Sequence, residues 1–393
     1  MAKIAESLKK LSVENVKRKH KDELISSIEE AVSLNHYVLS VCGTQSDTDF
    51  RIGTAQSDHN CVIYTVGERL SRTASLTHNH APIVGIKFSN TSKNIVYTAT
   101  STGIITACDL RAKGKVVAEF KDSTEDGKLK PISSFDISCD DRLLAGGTEH
   151  IGGDTFILFW DIRHNNAKAN DKKNFLGGYW ESHVEDVTSL TFHPNKKDIL
   201  ASGSTDGLIN VFDLVEPSED AALTYSLNTE SSVDRIGWLH DDNLWCTTYM
   251  HSLQLWACED ATPYANFERS NLVVSQNDDP DNCYTVKFHT SKVLEKSFLL
   301  AGSTNVKGEH LRCFSIEHDR LDMCYNMVGN KQLVRDSWMH DKSGCLVTVG
   351  ESGLINIWRQ EEPVAISQNA GDKLVAKIST GKGRDRQHRS KPY

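Results

Sequence analysis

Residues 203–207 have the residue types and spacing that nucleophilic catalysis would need. They are close to the Gly-x-Ser-x-Gly elbow of esterases, but the central residue is Thr205 and the last glycine follows an aspartate. Asp-Gly is a preferred pair in the tight turn of a β-hairpin, whereas a nucleophile elbow leads into a helix. We therefore predict a hairpin turn at this position and not a catalytic nucleophile.

The 16 histidines and ten cysteines are the other groups that could bind a metal or react. The sequence has no His-Glu-x-x-His or Cys-x-x-Cys pattern, and no glycine-rich phosphate loop. Adjacent carboxylates such as Asp140 and Asp141 fall in predicted turns, whereas acid–base catalysis needs carboxyl groups in different environments of one pocket. We therefore expect no enzyme activity, no metal and no cofactor.

A repeated pattern of short strands must position all of these residues. It is clearest in residues 183–214, which predict strands at 187–192, 199–204 and 208–212. An aromatic or equivalent residue near the end of the third strand recurs every 44 to 58 residues, at Tyr64, Cys108, Trp160, Phe212, Trp256, Phe314 and Trp358. This period is typical of four-stranded propeller blades. We predict seven such units in residues 36–360, closed into a ring whose interior is filled by side chains.

Several of these units resemble the WD-repeat family. Trp160-Asp161 is the dipeptide that gives the family its name, and Cys108-Asp109 and Phe212-Asp213 are degenerate copies of it. The resemblance implies an all-β fold, a seven-bladed WD40 β-propeller with short basic N- and C-terminal extensions. It also implies a scaffold without catalysis that binds protein partners in the nucleus, the cytoplasm or both. The identity of those partners does not follow from the sequence.

The resemblance further implies a hydrogen-bonded set of four side chains in each blade: His, Ser or Thr, Asp and Trp. No unit contains the complete set, and the matching residues are His80, Thr98, His183, Ser202, Asp206, Thr348 and Trp358. In the fourth unit Phe212 replaces the indole and cannot donate a hydrogen bond. We therefore expect the blades to depend more on apolar packing than on polar networks.

The loops at the ends of the ring are the candidate binding surface, because loops on a rigid scaffold commonly carry function. The rim candidates are Glu149, His150, Glu185, Asp186, Thr205, Ser232, Asp234, Leu333 and Arg335. Glu149, Glu185 and Asp186 come from adjacent units and predict an acidic patch that receives a basic partner. A solvated acidic rim is the alternative interpretation.

Trp160, Asp161 and Arg163 form a second candidate surface. They resemble the WDxR box through which some WD-repeat proteins dock on the adaptor of a cullin-type ubiquitin ligase. The resemblance implies Arg163 as the contact residue and a substrate receptor as the alternative function. A local ion pair between Arg163 and Asp161 would explain the same residues without a partner.

Charge divides the chain into three predicted regions. Residues 1–21 and 371–393 each have a net charge of +5, which leaves −19 for the residues between them. We predict a basic extension at 1–21, the propeller with its closing strand at 22–370, and a disordered basic tail at 371–393. Residues 24–34, 364–367 and 374–379 are the candidates for the closing strand.

The C-terminal tail carries five basic candidates, Lys382, Arg384, Arg386, Arg389 and Lys391. They can attract RNA weakly through its phosphates, act as an import signal, or remain inert. No apolar run is long enough to span a membrane, and the dispersed cysteines suit a reducing compartment. We therefore expect an intracellular protein without a membrane partner that is monomeric outside its complexes.

Overall fold

The structure is a computed structural model that describes residues 23–32, 35–45, 50–77, 81–122, 128–163, 174–275, 278–291, 296–305, 308–317 and 320–359. These residues form 28 strands, numbered in chain order from β1 (Glu23–Ala31). The one α-helix of the described ranges, α1, is a single turn at Glu219–Ala222. Short 3₁₀ turns lie at Leu110–Ala112, His240–Asp242, Arg269–Leu272 and Pro280–Asn282. No helix in these ranges has the length and apolar character needed to cross a membrane.

Five antiparallel sheets contain four strands each, in chain order. The first sheet is β2 (Val38–Gly43), β3 (Phe50–Gln56), β4 (Asn60–Val66) and β5 (Leu70–Thr77). The second is β6 (Ile83–Phe88), β7 (Ile95–Thr100), β8 (Ile104–Asp109) and β9 (Lys115–Lys121). The third is β10 (Ile132–Ile137), β11 (Leu143–Thr148), β12 (Ile157–Asp161) and β13 (Phe175–Tyr179). The fourth is β14 (Ser189–Phe192), β15 (Ile199–Gly203), β16 (Leu208–Asp213) and β17 (Leu223–Asn228). The fifth is β18 (Val233–Trp238), β19 (Leu244–Thr248), β20 (Leu253–Trp256) and β21 (Ala265–Phe267).

The remaining strands form one sheet of eight, in the order β22-β23-β24-β25-β1-β28-β27-β26. Its strands after β21 are β22 (Cys283–Ser291), β23 (Lys296–Asn305), β24 (Gly308–Glu317), β25 (Arg320–Val328), β26 (Val334–His340), β27 (Cys345–Gly350) and β28 (Leu354–Trp358). Strand β1 pairs antiparallel with β28 and, over three residue pairs, parallel with β25. The structure therefore differs from the prediction of seven separate sheets, because β1 joins the last two predicted units.

The first strands of successive sheets lie side by side and close a ring. Strand β2 contacts both β6 and β26, β10 contacts β6 and β14, and β14 contacts β18. Strand β22 of the eight-stranded sheet contacts β19 of the preceding sheet, and it also contacts β26 of its own sheet. The chain is thus an all-β propeller. Of the three predicted closing segments, the first (24–34) overlaps β1, which pairs with β28; the other two lie outside the described residues.

The core is built between neighbouring sheets, which explains why the sheets need each other. Tyr97 and Phe120 of the second sheet pack with Phe135, Leu144 and Trp160 of the third, and all five side chains are buried. Because a four-stranded sheet has two faces, burying both requires a neighbour on each side. The seven aromatic or equivalent residues predicted from the sequence all lie buried in third strands, on β4, β8, β12, β16, β20, β24 and β28.

Candidate functional site

The interior of the ring is not filled by side chains, contrary to the prediction. A cavity of about 600 Å³ remains between the strands that face it. Its wall includes residues from β2, β6, β10, β14, β18, β22 and β26, among them Cys42, Lys87, Asp136, Ser189, Arg235, Lys287 and Asp336. We call this cavity the channel. Charged side chains occupy inward positions of its wall and pair with one another.

Asp336 is the centre of the charge network in the channel. Its Oδ1 accepts hydrogen bonds from Arg235 Nη1 at 2.7 Å and from Lys287 Nζ at 3.4 Å. Its Oδ2 accepts from the Val41 backbone N–H at 2.9 Å and from Ser40 Oγ at 3.1 Å. Burial opposes ionisation, but Lys287 and Arg235 together lower the pKa of Asp336 far below its ordinary value. The carboxylate therefore ties four strands of the ring together.

Other ionisable groups in the channel wall, and His289 next to it, also have polar partners. Lys87 Nζ lies 2.5 Å from Asp136 Oδ1, and Asp136 Oδ2 accepts from the Phe192 backbone N–H at 2.8 Å. His289 Nε2 lies 2.8 Å from Ser337 Oγ. Each short contact between charges joins opposite signs, which is the arrangement of a stabilising network.

Sequence reasoning missed this network. Lys87, Asp136 and Arg235 lie in the first strands of their sheets, whereas Lys287 and Asp336 lie in β22 and β26, the two edge strands of the eight-stranded sheet. A charged residue within a strand was the available signal. Such a residue has to face a polar interior or solvent, because burying an unpaired charge is costly.

In the fourth sheet, three of the predicted polar residues contact one another. His183 Nδ1 lies 3.0 Å from Asp206 Oδ2, and His183 Nε2 lies 2.7 Å from Ser202 Oγ. Burial opposes ionisation of Asp206, but the hydrogen bond and charge of His183 and the Leu208 backbone N–H lower its pKa overall. Phe212 is fully buried. A turn follows β15 at residues 204–207, with Gly207 at φ +85° and its N–H donating to the Ser204 carbonyl at 3.2 Å.

The other predicted members of such sets are only partly in contact. Trp358 Nε1 donates to Thr348 Oγ1 at 3.0 Å, and Thr98 Oγ1 lies 2.9 Å from Thr106 Oγ1. His80 lies outside the described residues. Trp160 Nε1 instead donates to the Lys121 carbonyl of the preceding sheet at 3.1 Å. The indoles thus find acceptors without a common four-residue pattern.

A series of hydrogen bonds links the rim candidates of three sheets. The His150 backbone N–H donates to Asp186 Oδ1 at 2.7 Å. The Thr205 N–H donates to the Asp186 carbonyl at 3.0 Å, and Ser232 Oγ donates to the Thr205 carbonyl at 2.8 Å. One of the three carboxylates of the predicted acidic patch is therefore part of the framework. The other two carboxylates belong to exposed residues, Glu149 and Glu185.

The remaining rim candidates lie around a second cavity of about 620 Å³, which shares Asp234, Arg235, Leu39 and Tyr249 with the channel. Asp234 belongs to the channel wall as well as the rim, and its Oδ2 is 4.0 Å from Arg235 Nε. Burial raises the pKa of Asp234. Leu333 and Arg335 also line this second cavity, and Arg335 Nε donates to Glu351 Oε1 at 2.8 Å.

The same cavity has exposed apolar side chains that sequence reasoning missed. Tyr37, Leu39 and Tyr249 line it and are 48%, 37% and 54% exposed. We call these three residues and Arg335 the mouth surface. Tyr249 follows β19 in a tight turn, and an aromatic residue in such a turn was the signal that could have identified it.

Asp161 and Arg163 of the WDxR-like box form the local ion pair. Arg163 Nη2 donates to Asp161 Oδ2 at 2.7 Å, and the Arg163 backbone N–H donates to Asp161 Oδ1 at 2.9 Å. Asp109 and Arg111 repeat this geometry, with an Nη2–Oδ2 distance of 2.8 Å. The side chain of Arg163 is nevertheless 64% exposed, so part of its guanidinium remains accessible. Trp160 is fully buried and offers no surface to a partner.

The basic tail, the candidate metal ligands and the cysteines are the remaining groups that the sequence analysis considered. Lys382, Arg384, Arg386, Arg389 and Lys391 lie outside the described residues. Among the residues that are described, no group of three or more His, Cys, Asp or Glu side chains is arranged to hold a metal ion. None of the ten cysteines, all of which lie in the described ranges, forms a disulfide bond.

Comparisons with known proteins agree with the propeller fold. A family model for the WD domain, G-beta repeat (WD40), matches residues 176–213, which contain most of the fourth sheet. A WD repeat-containing protein of Arabidopsis thaliana, GTS1, is 32% identical over 206 residues, covering 51% of this chain and 48% of that protein. An uncharacterized WD repeat-containing protein of Saccharomyces cerevisiae is 29% identical over 245 residues, covering 60% of this chain and 59% of that protein.

A shorter match is the most similar in sequence of these three. The WD repeat-containing protein 89 homolog of Dictyostelium discoideum is 39% identical over 74 residues, which is 19% of this chain and 21% of that protein. The chain thus matches between about a fifth and three fifths of the length of these relatives.

Proposed function

Because this chain belongs to the WD repeat-containing protein family, we propose that it is a non-enzymatic scaffold that binds protein partners on the mouth surface and the adjoining rim. The exposure of Tyr37, Leu39 and Tyr249 around one cavity carries this proposal. Aromatic residues and arginine are enriched in protein interfaces, and clustered apolar exposure marks interaction sites. Arg335 lies in the same cavity wall.

The rigidity of the rim supports this function. The hydrogen bonds that join His150, Asp186, Thr205 and Ser232 connect loops of three sheets. A surface that is already ordered loses little conformational freedom on binding, so more of its contact energy appears as affinity. Glu149 and Glu185 would add an attraction for basic partners at the edge of this surface.

Finer features of the proposal go beyond the family. We propose a seven-bladed ring, in which the eight-stranded sheet is two blades joined by β1, because β22–β25 and β26–β28 with β1 each form an antiparallel group of four. We further propose a monomeric protein of the nucleus, the cytoplasm or a ribonucleoprotein assembly. The free cysteines support a reducing compartment. The basic tail would contact RNA only weakly through phosphates.

Affinity purification with cross-linking and mass spectrometry tests the proposal. Tyr37→Ala combined with Tyr249→Ala should reduce the recovery of partners by at least about tenfold, as expected for aromatic anchors of an interface. Tyr264→Ala is the matched control, because Tyr264 is also 54% exposed but does not line the mouth. Equal recovery with both variants would reject the mouth surface. Recovery that is lost on nuclease treatment would instead assign the association to RNA.

The same purification examines the alternative function, a substrate receptor of a cullin-type ubiquitin ligase. The exposed and fixed guanidinium of Arg163 favours this alternative. It requires that the ligase adaptor co-purifies and that Arg163→Ala removes it. Arg111→Ala is the control, because Arg111 has the same ion pair and a similar exposure of 68%.

A further inference from the structure

An outer groove lies between two neighbouring sheets, away from the mouth surface. Its volume is about 680 Å³, and its walls are β13 with the residues after it and the segment 214–220. This segment joins β16 to the outer strand β17 of the next sheet. Phe159 and Arg142 also line the groove. The groove is therefore formed by the third and fourth sheets together, and neither sheet contains it alone.

Apolar side chains make one wall of the outer groove attractive to a partner. Leu176 and Trp180 line it and are 56% and 57% exposed. Tyr179 behind them is fixed by ring contacts with Phe159 at 4.9 Å and Phe212 at 5.3 Å. Exposed large apolar side chains beside a rigid aromatic base are typical of sites that accept an apolar residue of another molecule.

The backbone of β13 offers a second kind of contact. Strand β13 is the last strand of its sheet, so one of its edges has no neighbouring strand in that sheet. Gly177 lies in the middle of β13 at φ +135°, and no atom lies within 4 Å of the position where a Cβ would stand. An extended peptide can add to such an edge through main-chain hydrogen bonds, and the open space over Gly177 leaves room for a side chain of that peptide on the face of the strand.

The charge of the groove specifies the partner. Glu181, Glu219 and Asp220 line it, and none of them has a Lys or Arg within ion-pair distance in the described parts of the chain. The carboxylate of Glu219 accepts hydrogen bonds from the backbone N–H groups of Trp180 at 2.8 Å and Glu181 at 2.9 Å. The one lining cation, Arg142, is already in an ion pair with Asp198. The groove therefore attracts cations and repels phosphate.

We propose that the outer groove binds an extended basic segment of a partner protein. The segment adds as a strand to the free edge of β13, places one large apolar side chain against Trp180 and Leu176, and places Lys or Arg beside Glu181 and Asp220. The inference rests on the proposed scaffold function, but it concerns a different surface from the mouth.

Selection of a random peptide library on the immobilised full chain tests the chemistry. Enriched peptides should carry Lys or Arg on both sides of a large apolar residue. Their dissociation constants, measured by fluorescence anisotropy, should rise at least about tenfold with Trp180→Ala and with Glu181→Lys combined with Asp220→Lys. Both substitutions are at exposed side chains, and Glu219 is kept because it holds the neighbouring turn.

Two controls separate this proposal from the function of the mouth. Tyr249→Ala should leave peptide affinity unchanged, even if it removes partners in the purification described above. Hydrogen exchange of β13 should slow when the selected peptide binds, because added main-chain hydrogen bonds protect its amides. Enrichment of acidic peptides, binding that persists in Trp180→Ala, or unchanged exchange in β13 would each overturn the proposal.

Discussion

His289 lies in a buried position next to the charge network of the channel, and burial, followed by the nearby Lys287, lowers its pKa to about 3. In the unfolded chain a histidine titrates near about pH 6.5. Below that pH the unfolded chain binds a proton that the folded chain does not, so stability falls as pH falls from about 6.5 towards 3. The neutral imidazole, bonded to Ser337 Oγ, is therefore the form that the fold requires.

In the His289→Gln variant, the unfolded chain no longer binds a proton at this position, and the side chain can still form a hydrogen bond. Between about pH 7.5 and pH 5 the native chain should lose about 2 kcal/mol of unfolding free energy through His289. Over the same pH range, the loss of unfolding free energy in the variant should be smaller than in the native chain by about 2 kcal/mol. Urea denaturation at the two pH values measures the difference, with His150→Gln as an exposed control. An identical pH dependence of variant and native chain would contradict the prediction.

At the residue scale, the sequence is most informative where the repeat sets the spacing. His183, Ser202 and Asp206 occupy equivalent places in a repeated pattern, and in the structure their side chains are in contact. Arg235 and Asp336 could not be matched in this way, because they are 101 residues apart and meet only through closure of the ring. Local sequence carries no information about which of many charges meet across a cavity.

At the scale of elements, β1 supplies a testable feature. Ile28 packs partly buried against the core between the first sheet and the last strands, whereas Ile25 of the same strand is 71% exposed. Ile28→Ala should lower the unfolding free energy by about 1 to 2 kcal/mol, because it removes half-buried methylenes. Ile25→Ala should change it by less than about 0.5 kcal/mol. Denaturant titration of the two variants compares them directly, and equal losses would mean that β1 does not close the ring.

The strands of single units followed from alternation and turn residues, whereas the sequence left three candidates for the closing strand. The predicted strands of the fourth unit agree with β15 and β16 to within a residue or two at each end, while β14 begins two residues later than predicted. The segment of β1 is rich in Ser and Glu, so its pattern does not distinguish it from a loop. Its identity as a strand depends on β28, and such long-range pairing overrides local propensity.

At the scale of the whole molecule, Asp336 joins strands from distant parts of the ring. Asp336→Asn leaves Arg235 and Lys287 without a buried counter-charge and should lower the unfolding free energy by about 3 kcal/mol. Hydrogen exchange should quicken together in β2, β18, β22 and β26, since all four contribute partners. Asp322→Asn is the control, because its ion pair with Arg320 is exposed. A loss confined to β26 would show that the network does not act across the ring.

The sequence predicted a ring but neither its open interior nor its merged sheet. The seven residues that mark the repeat all lie in strands of the structure. The volume of the channel depends on which side chains face inward and on which residues they pair with. The ion pair between Lys87 and Asp136 is one example. The eight-stranded sheet depends on only three residue pairs between β1 and β25. No repeat pattern contains this pairing.

The pairing of β1 with β28 also constrains how the protein is made. Ser26 and Ile357 are 331 positions apart, so the strand that completes the ring leaves the ribosome long before its partner does. At a synthesis rate of about 5 to 20 residues per second, this delay is about 20 to 60 seconds. During that time the nascent chain exposes an unpaired strand and unfinished sheet edges, which makes it a substrate for chaperones. Ring closure therefore cannot precede the synthesis of β28.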